Sequence, residues 1–437
     1  MIYISLGSNF GNRLDYLRKA VRLLKDLYFT DLKCSIILET KALQPIGAPA
    51  DWGKPFLNMI VWGHSTLSPI ELLKGLKEIE HKLGRPTNYK KWAPRTIDLD
   101  ILLWDDVLLN TADIMIPHPE LLNRFFLVHL MALINPFYRH PITHKTFGEI
   151  ANNIPNINEC FQNSFVLFPQ LVGIVNITLD SFSDGGLYIK PDHAIQRSME
   201  LATQGASMIE LGAQSTRPNN TNILTSEMEY NRLATVLEGL HDLMNMNSIS
   251  IDIYCDEVIL KTLDNYPVTW INDVKGDLKN STLQKIAQQG CKFVAMHSLS
   301  IPQRKEINLP HNYSPVFYLT EWAKKKIRHL LQCGFQEDEI VLDPGIGFGK
   351  SAYQNILLLQ HIDQIKTLGY PLLIGHSRKI YNASFSKEPS SSRDIETIAA
   401  SNHLFSKHID FLRVHNVRDH QRFFVTQQVL QGGVDVP

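Results

Sequence analysis

Two aspartates, Asp98 and Asp100, stand two residues apart within an apolar stretch at residues 96–104. Successive side chains of a β-strand point to opposite faces, so Leu99 and Ile101 can enter a core while both carboxylates point into one cleft. Neighbouring carboxylates repel each other, and a hard cation such as Mg²⁺, shared with substrate phosphates, would offset that repulsion. An ordinary amphipathic strand with a solvated acidic face explains the spacing equally well.

Basic side chains precede this pair of carboxylates. They are Arg85, Lys90, Lys91 and Arg95, and Trp92 stands among them. Cations beside paired carboxylates are typical of a site for a metal and a polyphosphate. The indole of Trp92 can stack on a flat ring, or it can be an ordinary tryptophan of the core or its rim. The neighbourhood therefore favours phosphate chemistry over a bare acidic strand.

A second set of polar residues follows short apolar segments in the C-terminal half. Eight such segments, separated by helical stretches, lie at residues 172–175, 208–211, 249–251, 269–271, 293–296, 340–342, 372–374 and 411–414. Eight strand–helix units predict an α/β TIM (β/α)₈ barrel, in which functional groups gather where the strands end. The polar residues at these points are Asn176, Asp252, Asn272, Asp343, Lys379, Arg413 and His415.

Each of these polar residues also has a plain structural explanation. Asp or Asn after a strand often caps the next helix, but capping alone does not explain so many polar side chains at one mouth. One subset offers donors and acceptors suited to a nitrogen-rich ring: Asp252, Asn272, Asp343 and Lys379. The other subset suits a diphosphate and its metal: Asn176, Arg413 and His415.

The glycine-rich residues 345–351 resemble a phosphate-binding loop, but the pattern is incomplete. The P-loop pattern needs glycine at position 344, where Pro344 stands, and the dinucleotide pattern needs glycine at position 350, where Lys350 stands. We therefore expect these glycines to shape the loop after the sixth barrel strand, with Phe348 in a pocket wall.

The N-terminal half mixes strand and helix patterns. Apolar segments predict strands at residues 2–6, 35–38, 57–62 and 96–104, and helical spacing predicts helices at 12–27 and 68–83. This order indicates an α+β fold of the ferredoxin-like type. A polar, Asn-rich stretch at 152–169 marks a boundary. We expect a first domain at residues 1–158, a linker at 159–168 and the barrel at 169–437.

Composition narrows the class of protein. The 437 residues carry 43 Lys and Arg against 44 Asp and Glu, a net charge of −1, which gives no global attraction for nucleic acid or an acidic membrane. Five scattered cysteines favour a reducing compartment over a disulfide framework, and no apolar stretch is long enough to span a bilayer. We expect a cytoplasmic enzyme with small-molecule substrates and with neither a nucleic acid nor a membrane partner.

Motifs of the N-terminal half resemble those of 6-hydroxymethyl-7,8-dihydropterin pyrophosphokinases. They are Gly7-Ser8-Asn9, Phe56-Leu57-Asn58, Gly84-Arg85, WAPRTIDLD from Trp92 to Asp100, and Pro117-His118 with Arg124 and Phe126. The resemblance implies that the pterin hydroxymethyl oxygen attacks ATP and takes its diphosphate, with two Mg²⁺ ions on Asp98 and Asp100. In the family a second arginine follows Gly84-Arg85, and here that position is Thr87.

The same resemblance assigns the other residues of this half. It implies that Arg85 and Arg95 contact the triphosphate and are catalytic. Nucleotide contacts would also come from Glu80, His118 and Arg124. The pterin would be held by Asn58, Trp92 and Phe126.

Motifs of the C-terminal half resemble those of dihydropteroate synthases, in the same order. They are NITLDSFSDGG from Asn176, GAQSTRP from Gly212, LDPGIGFGK from Leu342, GHSRK from Gly375 and RVH from Arg413. The resemblance implies that 4-aminobenzoate displaces diphosphate from the pterin methylene carbon. It also implies a homodimer face on the last barrel helix, at residues 418–430. The chain departs from the family at Leu179, Ile253 and Asn416, where proline, threonine and aspartate are usual.

The barrel resemblance implies three groups of binding residues. The pterin would lie on Asp252, Asn272, Asp343 and Lys379. The diphosphate, with one Mg²⁺ on Asn176, would lie on Asn176, Arg217, Arg413 and His415. The 4-aminobenzoate would contact Thr216, Pro218, Phe348 and Ser377, and the catalytic residues would be Lys379, Arg413 and His415.

The two implied reactions are consecutive, because the product of the first is the substrate of the second. We therefore expect a bifunctional enzyme of the folate pathway. A binding or regulatory pseudoenzyme is the first alternative, and Thr87 is its best support. The second alternative keeps the barrel but makes it another pterin enzyme, such as a methyltransferase; the segments 215–218 and 377–379 argue against it.

Overall fold

The computed structural model of the chain divides into two compact units. One consists of Met1–Leu167 with Phe424–Pro437, and the other of Phe168–Phe423. The residues that the structure describes are 1–42, 47–86, 88, 90, 92–154, 161, 163–165, 168–178, 190–214, 224–302, 304, 306–311, 313–407 and 409–430.

A six-stranded sheet forms the centre of the first unit. The strands of this unit are β1 (Ile2–Ser8), β2 (Lys33–Cys34), β3 (Ile37–Thr40), β4 (Phe56–Gly63), β5 (Asp98–Trp104), β6 (Leu109–Asn110), β7 (Met115–Ile116) and β8 (Asn163–Phe165). The sheet order is β5-β1-β4-β3-β8, with β2 also paired to β4, while β6 and β7 form a separate two-stranded sheet. The four predicted strands are confirmed, with boundaries that shift by a few residues.

Helices cover both faces of this sheet. They are α1 (Arg13–Leu27), α2 (Pro69–Lys82), α3 (Phe125–Ile134) and α4 (Phe147–Asn152). Ile4 and Leu6 of β1 pack in one core with α1 and α2, whereas Tyr3 packs in a second core with α3 and α4. The alternation follows from the two-residue period of a strand, and it confirms the ferredoxin-like α+β type.

Eight parallel strands form the sheet of the second unit. They are β9 (Gln170–Asn176), β10 (Met208–Gly212), β11 (Ile249–Asp252), β12 (Trp270–Asp273), β13 (Lys292–Met296), β14 (Ile340–Asp343), β15 (Leu373–Ile374) and β16 (Phe411–Val414). The order runs β14-β13-β12-β11-β10-β9-β16-β15, and a bridge between Leu342 and Leu372 joins its two ends. The predicted TIM barrel is confirmed, strand for strand.

Helices alternate with these strands. They are α5 (Pro191–Thr203), α6 (Ser226–His241), α7 (Asp256–Asn265), α8 (Asn280–Gln288), α9 (Pro315–Gln332), α10 (Ala352–Gln360), α11 (Ile362–Lys366), α12 (Asp394–Ser406) and α13 (Val417–Leu430). Of the helices in the described part of the chain, none is long and apolar enough to cross a membrane.

Apolar side chains fill the inside of the barrel below its carboxyl end. One cluster takes a residue from each of seven strands: Val172, Met208, Trp270, Val294, Val341, Leu373 and Phe411. The rings of Trp270 and Phe411 meet edge to face with centroids 5.2 Å apart, although β12 and β16 are not neighbours in the sheet. This apolar layer lies inside the barrel, beneath the polar residues at the carboxyl ends of the strands.

One segment differs from its sequence-based interpretation. Residues 163–165 were expected to be part of a linker, yet they form β8 and pair antiparallel with β3, Ile37 opposite Phe165. A three-residue strand at a sheet edge has too short a pattern to be recognised in a polar sequence, because its pairing is decided by the partner strand.

Candidate active sites

Strand β5 presents Asp98 and Asp100 on one face, as its alternating pattern predicted. Leu99 and Ile101 are buried, and the two aspartates between and before them are only partly buried. We call the group around these carboxylates the carboxylate site; it consists of Arg85, Arg95, Asp98, Asp100, His118 and Arg124.

Asp98 binds one arginine with each carboxylate oxygen. Arg85 Nη1 lies 2.5 Å from Oδ1, and Arg95 Nη1 lies 2.9 Å from Oδ2. Burial alone would raise the pKa of Asp98, but Arg95 and Arg85 outweigh it and the pKa lies below its ordinary value. The two arginines expected to bind triphosphate are therefore both at the first aspartate.

Asp100 has the opposite electrostatic balance. Burial and the charge of Asp98 raise its pKa above the ordinary value, while Lys77, His118 and Arg124 act the other way. The charges of His118 and Arg124, from the segment leading into α3, thus act on a carboxylate of β5. Asp100 is therefore harder to ionise than a free aspartate, whereas its two arginines keep Asp98 ionised.

Glu80 is directed at the protein rather than at the cleft. It is 4% exposed, and its Oε1 accepts the backbone N–H of Leu99 at 2.8 Å and lies 2.8 Å from Arg85 Nη1. Lys77, which the sequence interpretation did not single out, donates to the same oxygen at 2.8 Å. Glu80 therefore holds β5 and Arg85 in place. Its expected effect on the nucleotide would be indirect, through Arg85.

Asn58 lies two strands away from Asp98. Gly7 of β1 is opposite Asn58 on one side and opposite Asp98 on the other, which separates them by about 10 Å. Asn58 Nδ2 donates to Thr40 Oγ1 at 2.8 Å. A Cβ at Gly7 would come within 2.9 Å of Asn58 Oδ1. A larger residue at position 7 would therefore displace the Asn58 amide.

The two aromatic residues expected to hold the pterin keep ring surface exposed. Trp92 is 39% exposed and has a positive φ of 73°, and Phe126 is partly buried in the first turn of α3. Trp92 is therefore largely open to solvent, whereas Phe126 packs in part against the second apolar core.

Polar side chains meet at the carboxyl end of the barrel, and we call this group the barrel site. The strand register places Asn176 opposite Gly212, Gly212 opposite Asp252 and Asp252 opposite Asn272. The three polar residues predicted at the ends of the first four strands thus lie along one edge of the barrel, with Gly212 between Asn176 and Asp252.

A buried charge network lies within the barrel site. Arg413 donates from Nη1 to Glu210 Oε1 at 3.1 Å and from Nη2 to Asp343 Oδ2 at 3.0 Å. Asn272 Nδ2 donates to the other oxygen of Glu210 at 3.3 Å. Arg413, expected on the diphosphate, therefore lies among the residues expected to bind the ring, and Gly375 is the neighbour whose missing side chain leaves space for it.

Glu210 was missed by the sequence interpretation. It is 3% exposed and stands in the middle of β10, between Ile209 and Leu211. The available signal was an acid inside a short apolar strand, which is costly to bury unless it is paired. Glu210 lies away from the strand end, where the barrel pattern predicts functional groups.

Two acceptors of the barrel site lack a hydrogen-bond partner among the residues that the structure describes. They are Asp252 Oδ1 and Asn272 Oδ1, both buried. Burial and the charge of Glu210 raise the pKa of Asp252 well above its ordinary value. By contrast, Asp343 is satisfied within the protein, since Gly345 N–H donates to Oδ1 at 2.7 Å and Arg413 to Oδ2.

Lys379 and Phe348 form one wall of this site. Lys379 Nζ lies 4.4 Å from the centre of the Phe348 ring, a favourable cation–π distance. Burial and then the nearby Arg413 lower the pKa of Lys379 to about 8. Phe348 is 5% exposed and packs with Val274 and Met296.

Ser377 and His415 are brought together. Ser377 Oγ lies 2.9 Å from His415 Nδ1 and accepts the backbone N–H of His415 at 3.3 Å. Burial, and then Arg378 and Lys379, lower the pKa of His415 to about 3, so the imidazole is neutral at neutral pH. Because Ser377 Oγ already accepts one N–H, its proton can go to Nδ1, which leaves Nε2–H as a donor.

The glycine-rich loop wraps around a lysine, which confirms that it is not a phosphate loop. Lys350 Nζ donates to the carbonyl oxygens of Gly345 at 2.9 Å and Phe348 at 2.8 Å, and it lies 2.9 Å from His297 Nδ1. A Cβ at Gly345 would come within 1.9 Å of the His297 carbonyl. The glycines thus shape the loop that carries Phe348, as the sequence predicted.

Comparison with known proteins assigns both halves. Residues 3–136 match the 7,8-dihydro-6-hydroxymethylpterin-pyrophosphokinase family, and residues 172–415 match the pterin binding enzyme family. The folate synthesis bifunctional protein of Chlamydia caviae is 40% identical, over 96% of this chain and 96% of its own length. The chain belongs to the family of folate synthesis bifunctional proteins. It is a bifunctional transferase of folate biosynthesis, with pyrophosphokinase and dihydropteroate synthase activities.

Solved structures agree with this membership. The dihydropteroate synthase of Xanthomonas albilineans, solved with 4-aminobenzoic acid, is 30% identical and covers 62% of this chain and 94% of its own, with a TM-score of 0.54. The two-domain protein of Plasmodium falciparum, solved with pterin and p-hydroxybenzoate, covers 100% of this chain and 96% of its own at 21% identity and a TM-score of 0.54. The second likeness concerns the fold alone.

Some predicted residues of this folate synthesis protein lie outside the described part of the chain. They are Thr87, Lys91, Leu179, Thr216, Arg217 and Pro218. Of the other departures from the family, Ile253 is fully buried, and Asn416 contacts two carboxylates.

Proposed function

We propose that the carboxylate site transfers diphosphate from ATP to 6-hydroxymethyl-7,8-dihydropterin, and that the barrel site joins the product to 4-aminobenzoate. The observation that supports the barrel assignment best is the pair of unpartnered acceptors, Asp252 Oδ1 and Asn272 Oδ1. A dihydropterin ring carries several N–H donors along one edge, and buried acceptors without donors are costly. The ring would satisfy both at once.

In the carboxylate site, Asp98 and Asp100 fit the needs of Mg²⁺. The two carboxylates on one strand face are hard oxygen ligands and match a cation that takes one or two carboxylates plus phosphate oxygens. Such a cation would also offset the repulsion from Asp98 that contributes to the raised pKa of Asp100. When bound, Mg²⁺ neutralises phosphate charge and aligns the phosphates for in-line attack. Two ions, as in the family resemblance, remain part of the proposal.

The protein's own residues position the reactants there. Arg85 and Arg95 exchange Asp98 for oxygens of the triphosphate, where bidentate guanidinium contacts suit phosphate geometry. His118 and Arg124 contact the nucleotide, and Glu80 keeps Arg85 in place. On the other side of Gly7, Asn58 binds the polar edge of the pterin, while Trp92 and Phe126 hold its faces. No covalent nucleophile is required, because the reaction depends on alignment and charge.

In the barrel site, different residues bind the pterin ring and the diphosphate leaving group. Asp252 and Asn272 accept from the ring, and Lys379 donates to it beside Phe348, which forms the wall for 4-aminobenzoate. His415 donates from Nε2 to the diphosphate, with Ser377 fixing its tautomer. The expected contacts of Thr216, Arg217 and Pro218 complete the proposal.

Asn176 fits one Mg²⁺ with the diphosphate, because its amide oxygen is a hard ligand at the open end of β9 and Mg²⁺ keeps several waters. Arg413 holds Glu210 and Asp343 in place. Its contact with the departing diphosphate, which the resemblance implies, requires the guanidinium to exchange one of these carboxylates for a phosphate oxygen.

A coupled assay tests the whole assignment. The protein is incubated with ATP, Mg²⁺, hydroxymethyldihydropterin and 4-aminobenzoate, and AMP and dihydropteroate are followed together. We expect both to appear, and Asp252→Asn to abolish dihydropteroate formation while AMP is still released. Loss of neither product in Asp252→Asn would contradict the ring assignment, and absence of both from the unaltered protein would contradict the function.

Two further expectations belong to the proposal. We place the protein in the cytoplasm, because the four cysteines of the described chain are free thiols; cell fractionation tests this. We also propose a homodimer through α13, on which Val425 is 52% and Leu430 76% exposed. Light scattering should give twice the chain mass, and Val425→Lys should shift it to that of one chain.

A further inference from the structure

We infer that Arg378, Asp394 and Asn416 form a positioning network that locks two loops of the barrel site together. One loop, after β15, carries Ser377 and Lys379, and the other, after β16, carries His415. The inference rests on the proposed roles of these three residues. None of the network's own side chains is needed to touch a substrate.

The first part of the network is a bidentate ion pair. Arg378 Nε donates to Asp394 Oδ1 at 2.7 Å, and Arg378 Nη2 donates to Oδ2 at 2.9 Å. Two parallel bonds between a guanidinium and a carboxylate fix orientation as well as distance. Asp394 is the first residue of α12, so the pair joins the β15 loop to that helix.

The backbone of Arg378 shows that this joint bears strain. Its φ is +57°, a left-handed conformation that is unfavourable for a residue with a side chain. The ion pair and a bond from Arg378 N–H to Thr397 Oγ1 at 3.1 Å hold it there. As a result Arg378 is bound to α12, while its neighbours Ser377 and Lys379 contact His415 and Phe348.

The second part of the network is the amide of Asn416. Its Nδ2 donates to Asp394 Oδ2 at 2.9 Å and to Asp419 Oδ2 at 2.8 Å, and its Oδ1 accepts the N–H of Asp419 at 3.0 Å. An amide can serve two carboxylates because it carries two N–H donors. An aspartate here, the residue usual in the family, would face two carboxylates with no proton to give.

The network therefore encloses the residues expected to act on substrate. Ser377 contacts His415, while Arg378 and Asn416 both bind Asp394. A further bond from Arg197 Nη2 to the carbonyl of His415, at 2.9 Å, holds the second loop from α5. Loosening the contacts with Asp394 should let Lys379 and His415 drift without removing either.

Steady-state kinetics of the barrel reaction test this, using supplied pterin diphosphate. We expect Arg378→Gln and Asp394→Asn each to raise the KM for 4-aminobenzoate by about tenfold, the order seen when a residue supporting a functional ligand is lost. Arg378→Lys should restore part of the loss. The double variant should be no worse than the worse single one, since both remove the same pair. Asn416→Asp should impair the reaction more than Asn416→Ala.

The controls separate positioning from folding and from failure of the function itself. Lys324→Gln removes a surface cation from another barrel helix, paired with Glu321 at 2.8 Å, and should change nothing. Circular dichroism and thermal melting of each variant report whether the barrel itself is still folded, because the N-terminal half would remain active beside an unfolded barrel. Unchanged KM values in the variants, or effects of the two single changes that multiply in the double variant, would overturn the network. An unaltered protein that makes no dihydropteroate would instead overturn the proposed function.

Discussion

At the scale of single residues, charge pairing decides what each site can do. In the carboxylate site both oxygens of Asp98 are bound by arginines, whereas burial and the charge of Asp98 raise the pKa of Asp100. In the barrel site one guanidinium serves two buried acids. Substitutions that remove one charge therefore have different consequences in the two sites.

Asp100→Asn should abolish the pyrophosphokinase reaction selectively. It removes a carboxylate from the proposed metal site but leaves Asp98 and its arginines in place. We expect AMP release to fall at least about 10³-fold, equivalent to roughly 4 kcal/mol of transition-state stabilisation. The barrel reaction on supplied pterin diphosphate should be unchanged. Near-normal AMP release by the folded variant would refute the role of Asp100.

Glu210→Gln should damage the barrel through stability as well as binding. It removes one of the two acids that face Arg413, and breaking a buried pair costs about 3–5 kcal/mol. We expect the free energy of unfolding to fall by about 3 kcal/mol and the affinity for pterin to decrease. Denaturant titration and calorimetry measure the two effects. The control is Glu227→Gln on α6, where the side chain is exposed; equal losses in both variants would argue against the network.

Whether a functional residue of the barrel could be predicted from the sequence depends on where it lies along its strand. Asp252 and Asn272 were identifiable because polar residues at barrel strand ends face the mouth. Glu210 was not, because a mid-strand acid among apolar residues has no partner in its own neighbourhood. Its partner is Arg413, 203 residues away in the chain, and a single sequence does not show such pairs.

At the scale of elements, the barrel loops depend on histidines that are buried without charge. Burial lowers the pKa of His297 to about 2, and that of His376 to about 4. His376 connects the loop after β15 to helix α12, because its Nε2 lies 2.9 Å from Ser401 Oγ. In the unfolded chain such histidines bind a proton near pH 6.5, so unfolding takes up protons below that pH and acid destabilises the fold.

His376→Gln should make the barrel less sensitive to acid. Between pH 6.5 and the folded-state pKa of about 4, the unfolded state binds more protons than the native state, so this residue lowers stability as pH falls. Removing it should reduce the slope of unfolding free energy against pH by about 1.4 kcal/mol per unit between pH 6 and 4.5. The matched change is His241→Gln, an exposed histidine. An unaltered slope in His376→Gln would mean that this imidazole is charged in the native state.

Element boundaries followed the sequence where local signals were strong. Ser68 begins α2 with a capping box, its side chain bound by Glu71 N–H and its own N–H bound to Glu71, and Pro69 occupies the first turn as predicted. The pairing of β8 could not be foreseen, because nothing within residues 163–165 specifies β3 as the partner.

At the scale of the whole molecule, we propose that each half folds and works alone. Each half has its own apolar core. The residues that match the first family, 3–136, do not overlap those that match the second, 172–415. Fragment 1–167 contains the strands β1 to β8 and the helices α1 to α4 of the first unit, without Phe424–Pro437, and it should keep pyrophosphokinase activity. Fragment 168–437, with the barrel and all of α13, should keep dihydropteroate synthase activity. Insolubility or inactivity of both fragments, beside an active full chain, would show that the domains are not autonomous.

A shorter N-terminal fragment tests the placement of the boundary. Fragment 1–160 lacks β8 and leaves the edge of β3 unpaired, so we expect a lower melting temperature than for 1–167. Circular dichroism of the two fragments makes the comparison. Equal melting temperatures would mean that β8 contributes nothing, and that the linker begins where the sequence placed it.

The close approach of Arg413 to Gly375 limits which mutations this barrel can survive. A Cβ at position 375 would come within 2.6 Å of Arg413 Nη2 and 2.8 Å of its Nε, so even alanine must displace the guanidinium that Glu210 and Asp343 hold. We therefore expect a single substitution of Gly375 to disrupt the barrel site through Arg413. Randomising its codon and selecting for folate-independent growth should return glycine alone, unless a second change shortens residue 413 and gives up the charge.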